Sequence, residues 1–206
     1  GKTDPWIADS TYRPQVFEVE GGQPPYRVRP KAFLSADGQH VATIAADGTA
    51  RVWSTQNETA PAQILEGQPD EAAIAINLAT DPAQWVTVSQ DGTIRLRDFR
   101  GQILNQFPGV PGQRWNAVLS PDNQIIAMVS GEDNIPRLWD FQGNLLDTIN
   151  DHPGQVSALN FSPDGKTLAI GFMDGNILLW DVPGKYRSHA PIQTGSSIIN
   201  VRFSLD

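Results

Sequence analysis

The chain has no cysteine. That excludes disulfides, thiol nucleophiles and cysteine-ligated zinc. It also suits a cytoplasmic protein, since structural disulfides belong to oxidising compartments. Histidine is scarce: His40, His152 and His189 are the full set. They stand in unlike contexts without metal-ligand spacing, so no metal is expected. No nucleophile stands in a pattern with a base, and no glycine-rich phosphate loop is present. Catalytic residues and cofactors are therefore not expected. Positive charge is in deficit, with 15 lysines and arginines against 23 acids and a net charge of −8. Nucleic acid and acidic membrane surfaces both call for basic patches, so neither fits as a partner. No apolar run approaches the ~20 residues of a spanning helix.

Turn formers are plentiful, with 18 glycines and 16 prolines. The hydrophobic share is 39% and the charged share 18%, which places the chain among globular proteins rather than disordered ones. Its 206 residues suffice for one sizeable domain.

The stretch Val156 to Asp181, VSALNFSPDGKTLAIGFMDGNILLWD, reads as three strands and two turns. Ser162-Pro163-Asp164-Gly165 has proline where a type I turn presets φ and glycine at its end. Asp174-Gly175 is a short hairpin signal, because glycine accepts positive φ. Ile177 and Leu179 point one way, Leu178 and Trp180 the other, so both faces of the third strand are apolar. The pattern recurs. Trp53, Arg97, Trp139 and Trp180 end equivalent strands, at spacings of 44, 42 and 41 residues. Asp47, Asp91, Asp133 and Asp174 each stand six residues earlier, and Asp37, Asp81, Asp122 and Asp164 mark the preceding turn. A multi-strand repeat of this length is the mark of a propeller blade, which buries its faces only against neighbouring blades.

With SPDG, DG and the Trp-Asp endings at 139–140 and 180–181, the chain resembles the WD-repeat β-propeller family over residues 28 to 206. The short linkers RGQIL and QGNLL resemble those of bacterial, especially cyanobacterial, members. An all-β fold follows: four complete four-stranded blades, at about 29–67, 73–109, 114–151 and 155–195. Residues 1–14 read as a linker or arm. Gln15–Glu20 reads as the outer strand, and 197–206 as the inner strand, of a further blade in a larger ring. Blade 3 has one extra residue near Gly131-Glu132, and Pro136 within its third strand. A β-bulge is expected there. In blade 4, Asp181 to His189 is expected to be the longest connection between third and fourth strands.

The resemblance implies a structural role for Asp47, Asp91, Asp133 and Asp174. In the family this aspartate bonds with a histidine before the first strand, a second-strand hydroxyl and the tryptophan. His152 matches the histidine in blade 4, but Ile170 and Phe172 stand where a hydroxyl is usual. Blades 1 and 2 offer Thr43 and Thr87 without a histidine, so packing is expected to carry more of the stability. Trp53, Trp139 and Trp180 are expected to be packed between elements. Arg97 replaces the tryptophan of blade 2, and two readings stay open. Its stem covers an apolar face while the guanidinium reaches a carboxylate or solvent, or it is buried against an acid of a neighbouring blade. Arg51, Arg95 and Arg137 lie two residues before the strand ends, where the family commonly has arginine.

The resemblance implies a non-catalytic scaffold or sensor module that binds a protein or peptide, with ring closure by the rest of the chain or another subunit. Partner contacts are expected at Ala46, Gln90, Glu132 and Met173 beside the turn aspartates, with Phe172, Arg114 and Trp115. A core position at a blade junction is an equal reading of Trp115. The alternative class is the accessory propeller of a serine-peptidase-type hydrolase, which would require a separate catalytic domain.

Overall fold

The computed structural model describes residues 31–34, 39–45, 49–55, 63–65, 71–77, 84–89, 92–98, 100, 102–109, 116–150, 152, 154–187 and 190–204. The expected arm 1–14 and strand Gln15–Glu20 lie outside these residues. The described elements are all strands. Blade 1 holds β1 (Lys31–Leu34), β2 (His40–Ile44), β3 (Ala50–Ser54) and β4 (Gln63–Leu65). Blade 2 holds β5 (Glu71–Asn77), β6 (Gln84–Ser89), β7 (Thr93–Asp98) and β8 (Ile103–Pro108). Blade 3 holds β9 (Asn116–Leu119), β10 (Ile125–Val129), β11 (Arg137–Asp140) and β12 (Leu145–Thr148). Blade 4 holds β13 (Val156–Phe161), β14 (Thr167–Phe172), β15 (Asn176–Asp181), β16 (Tyr186–Arg187) and β17 (Ile192–Gln193). Each blade is an antiparallel meander in chain order, and β16 and β17 both pair with β15. The first strands β5, β9 and β13 are successive neighbours about a common axis. The architecture is therefore an all-β propeller of four blades.

Strand alternation explains the core. On β10, Ile126 and Met128 enter a cluster shared with blades 1 and 2, beside Val52, Ile74, Trp85 and Val88. Ala127 and Val129 face the opposite way, into a cluster with Leu138, Ile149, Leu168, Ile170 and Leu178. A blade between two neighbours is thus apolar on both faces, as the sequence pattern requires.

The turns are built locally. Gly165 donates its N–H to Ser162 O at 2.9 Å and has φ 71°; in blade 3, Asn123 does the same to Ser120 O at 3.0 Å with φ 55°. Asparagine is the commonest substitute for glycine at positive φ. The serine hydroxyls donate to Asp164 and Asp122 and accept the N–H groups of Thr167 and Ile125. Gly175, at φ 89°, closes the second turn of blade 4 onto Phe172 O at 3.2 Å.

Three local expectations are corrected. Blade 3 has no bulge near Pro136: β10 and β11 run in unbroken register from Ile125↔Asp140 to Met128↔Arg137. The extra residue sits in the turn, where Asn134 adopts φ 58° and donates to Ser130 O at 3.0 Å. Pro136 precedes β11 and uses only its carbonyl, which accepts Ile149 N at 2.9 Å. A residue without an N–H is housed where no ladder bond is needed. The register shift in this blade lies instead at Leu138/Trp139, on the β12 side. In blade 4 the third strand turns back early, because Asp181 O captures Lys185 N and β16 begins at Tyr186. The irregularity falls between β16 and β17, inside the outer strand. Residues 197–204 form no strand. They run beside blade 4, with Ile198 N on Phe172 O at 3.1 Å and Val201 O on Asn160 Nδ2 at 3.0 Å. A ladder needs a neighbouring strand on the same sheet, and none lies beside this segment among the described residues.

Candidate functional site

The tryptophans at the strand ends each meet a different environment. Trp53 is buried, and its indole N–H donates to Thr43 Oγ1 at 3.2 Å within blade 1. Trp139 is half-buried and stacks on Phe107 of blade 2 with centroids 5.8 Å apart. Its Nε1 is buried without an acceptor among the described residues. Trp180, half-buried, donates to Asp147 Oδ2 of blade 3 at 2.9 Å. His152 stacks on Phe172 at 5.6 Å, with Nδ1 3.0 Å from its own Gly154 O. The bonds of blade 4 thus link it to blade 3 rather than closing a histidine–aspartate–tryptophan network within the blade.

The turn aspartates act locally. Asp174 is exposed and accepts the backbone and side-chain N–H groups of Asn176 at 3.0 and 2.8 Å. Those bonds hold its carboxyl below the usual range. Asp133 pairs with Arg137 at 2.6 Å. Desolvation pushes its carboxyl up, but the Arg137 bond and charge and the Ile135 N–H outweigh it, and the net shift is downward. Asp47 and Asp91 lie outside the described residues. The Trp-Asp aspartate Asp140 nucleates the next turn. It accepts from the backbone of Gln142 and Asn144 and from Asn144 Nδ2, which lowers its pKa. Asp98 binds Arg100 N and Gln102 N in the same way.

Of the two readings of Arg97, the structure favours burial over reach to solvent. Arg97 is buried, at 4% exposure, with Nε 3.5 Å from Thr87 Oγ1. Its guanidinium carbon lies 5.8 Å from the ring centre of Trp85, its cross-strand partner. Thr87 meets an arginine where Thr43 meets an indole. Trp85, fully buried, restores the aromatic bulk on the adjacent strand, and its N–H is bound to Asp98 O at 2.7 Å. Trp85 was legible only as a pair: a tryptophan gained on the second strand where one is lost on the third.

Of the expected partner contacts, Ala46, Gln90, Arg114 and Trp115 lie outside the described residues. Glu132 is exposed, and Met173 is 42% exposed. Phe172 is corrected: it is fully buried under His152 and cannot meet a partner. Strand alternation turns it inward where Met173, at the turn, faces out. Glu132 and Met173 share one face with the loop entering β13. Asn134, from the blade 3 turn, donates to Gly154 O at 3.0 Å and accepts Val156 N at 2.9 Å. Met173 N donates to Gln155 O at 2.9 Å. Backbone and amide bonds therefore fix this surface across two blades.

A cavity of about 460 Å³ lies on the axis. Its wall follows strand alternation. Four residues before the turn serines Ser35, Ser120, Ser162 and Ser204 stand Lys31, Asn116, Ala158 and Asn200; two before them stand Phe33, Val118, Asn160 and Arg202. All of these line it. Lys31 Nζ donates to Asn116 Oδ1 at 2.7 Å, Ala117 O at 2.9 Å and Ile74 O at 3.3 Å, tying blade 1 to blades 2 and 3. Sequence reading missed this tier. Its signal was a fixed offset from the turn serine, visible once the blades are in register. No cluster of three metal-ligating side chains occurs among the described residues.

The Vps8 beta-propeller family model matches residues 139–206, the last third of the chain. A chain in a crystal structure of the mitotic checkpoint complex is similar in fold. It is 20% identical, with a TM-score of 0.64 over 82% of this chain and 52% of that one. The present chain thus spans about half the length of that chain. No curated protein matches the sequence significantly. Blade topology, repeat spacing and these likenesses define a β-propeller fold.

Proposed function

We propose that the protein is a non-catalytic interaction scaffold that binds a protein or peptide on the face carrying Glu132 and Met173. The observation that supports this is Met173 itself: an exposed apolar side chain on a turn whose backbone is bonded to the loop entering β13. A rigid apolar contact costs little ordering entropy on binding. Exposed Glu132 and Asp174 beside it favour a partner with basic residues around an apolar anchor. The similar solved chain belongs to a complex, which fits the same reading. No helix among the described residues is long and apolar enough to cross a membrane, and a cytoplasmic setting fits the cysteine-free sequence. Further blades, from this protein or another subunit, complete the ring beside residues 197–204.

A photo-crosslinking residue placed at Met173 should capture the partner, while the same residue at Tyr186 on the outer rim should not. Met173→Glu should weaken the captured complex at least about tenfold, as loss of a central apolar anchor does. Equal capture from rim and face would overturn the assignment.

A further inference from the structure

The described wall of the axial cavity carries one sign of charge. Lys31 and Arg202 line it, with the amides of Asn116, Asn160 and Asn200, and no acid lines it among the described residues. Acids outnumber bases 23 to 15 in the whole chain, so this wall runs against the overall charge. The two cations play unlike parts. The three oxygens around Lys31 Nζ match the three N–H groups of an ammonium, so Lys31 supplies a fixed charge rather than a free donor. Asn116 turns its carbonyl to that charge. Arg202 is exposed to the cavity, and no hydrogen bond or ion pair holds its guanidinium among the described residues. Its planar fork of five donors matches the paired oxygens of carboxylate and phosphate. Asn200 lies two residues earlier on the same side of the segment and adds an amide. The remaining wall is largely apolar, through Phe33, Val118 and Leu159, and low-dielectric walls focus the field of the cations.

We propose that the axial cavity binds a small anion through carboxylate or phosphate oxygens, with Arg202 as the donor and Lys31 as the standing charge. A cavity of this size in which several polar groups converge against apolar walls suits a small polar molecule. The site is separate from the partner face and stands or falls independently of it.

The test is calorimetric titration of the 206-residue chain with inorganic phosphate and, separately, citrate, with chloride holding ionic strength constant. Saturable binding of at least one is expected. Arg202→Ala should weaken it about tenfold to a hundredfold, the range for hydrogen bonds to a charged group. Arg202→Lys should retain part of it. Response to phosphate alone assigns a phosphate ligand, and response to citrate alone a carboxylate one. Because Arg202 is exposed, neither variant should shift the unliganded melting temperature. Absence of saturable binding to both anions, or binding that Arg202→Ala leaves intact, would overturn the proposal. So would a large loss of melting temperature in Arg202→Ala without ligand, which would make the residue structural.

Discussion

Arg97 stands where three other blades carry tryptophan, and the volume it lacks is supplied by Trp85 across the ladder. Trp85 is fully buried, whereas Trp180 is half-buried with its N–H on Asp147. Burial rather than position in the repeat should set the cost of truncation. Trp85→Ala is expected to destabilise the protein by about 3–5 kcal/mol, the range for fully buried aromatics. Trp180→Ala is expected to cost less, about 2–3 kcal/mol, because part of its surface already faces water. Urea unfolding of both variants checks the order. If Trp180→Ala proved the more damaging, the repeat position would matter more than its burial.

Among the described residues, blades 3 and 4 spend most of their aspartates on turns. Asp133, Asp140, Asp164 and Asp174 all have carboxyls held below the ordinary value. The causes are neighbours: Arg137 for Asp133, against desolvation; Asn144 for Asp140; Ser162 and Lys166 N–H for Asp164; Asn176 for Asp174. A carboxyl with a depressed folded pKa contributes stability above its unfolded value, and loses it as pH falls through the folded one. The melting temperature should therefore be flat from neutral pH to about 5 and fall below about 4, where unfolded carboxylates titrate. Replacing all four by asparagine should flatten the acid limb. An unchanged limb would place the acid sensitivity elsewhere, since exposed pairs of this kind are individually weak.

At the scale of the whole molecule, the segment 197–204 lies against blade 4 without joining its sheet. Ile198 is seated on Gly171: a Cβ there would meet Ile198 Cγ2 at 2.5 Å. Ile199, in contrast, is 85% exposed. An exposed apolar residue beside an unladdered segment is a surface that associates. The 206-residue chain is expected to associate with rising concentration in sedimentation, and Ile199→Asp to shift it toward monomer. Gly171→Ala should unseat the segment and speed tryptic cleavage after Arg202. A compact monomer indifferent to Ile199→Asp would mean that the segment seals the ring by itself.

The sequence by itself determined the repeat, the turns and the two-faced blades. These are local: Ser-Pro-Asp-Gly and Asp-Gly set backbone angles within four residues, and alternation assigns each side chain to a face. It did not place Phe172, and it left Arg97 open between burial and solvent. Both lie at strand ends where the next residue turns outward, so one position decides between burial and display. Only the tertiary structure decided which partner each tryptophan found, because Thr43, Phe107 and Asp147 come from different strands and blades. Only it brought Lys31 against Ile74, Asn116 and Ala117, dozens of residues away in the chain. The axial cavity exists because four inner strands converge, and convergence is a property of blades packed together, not of any one repeat.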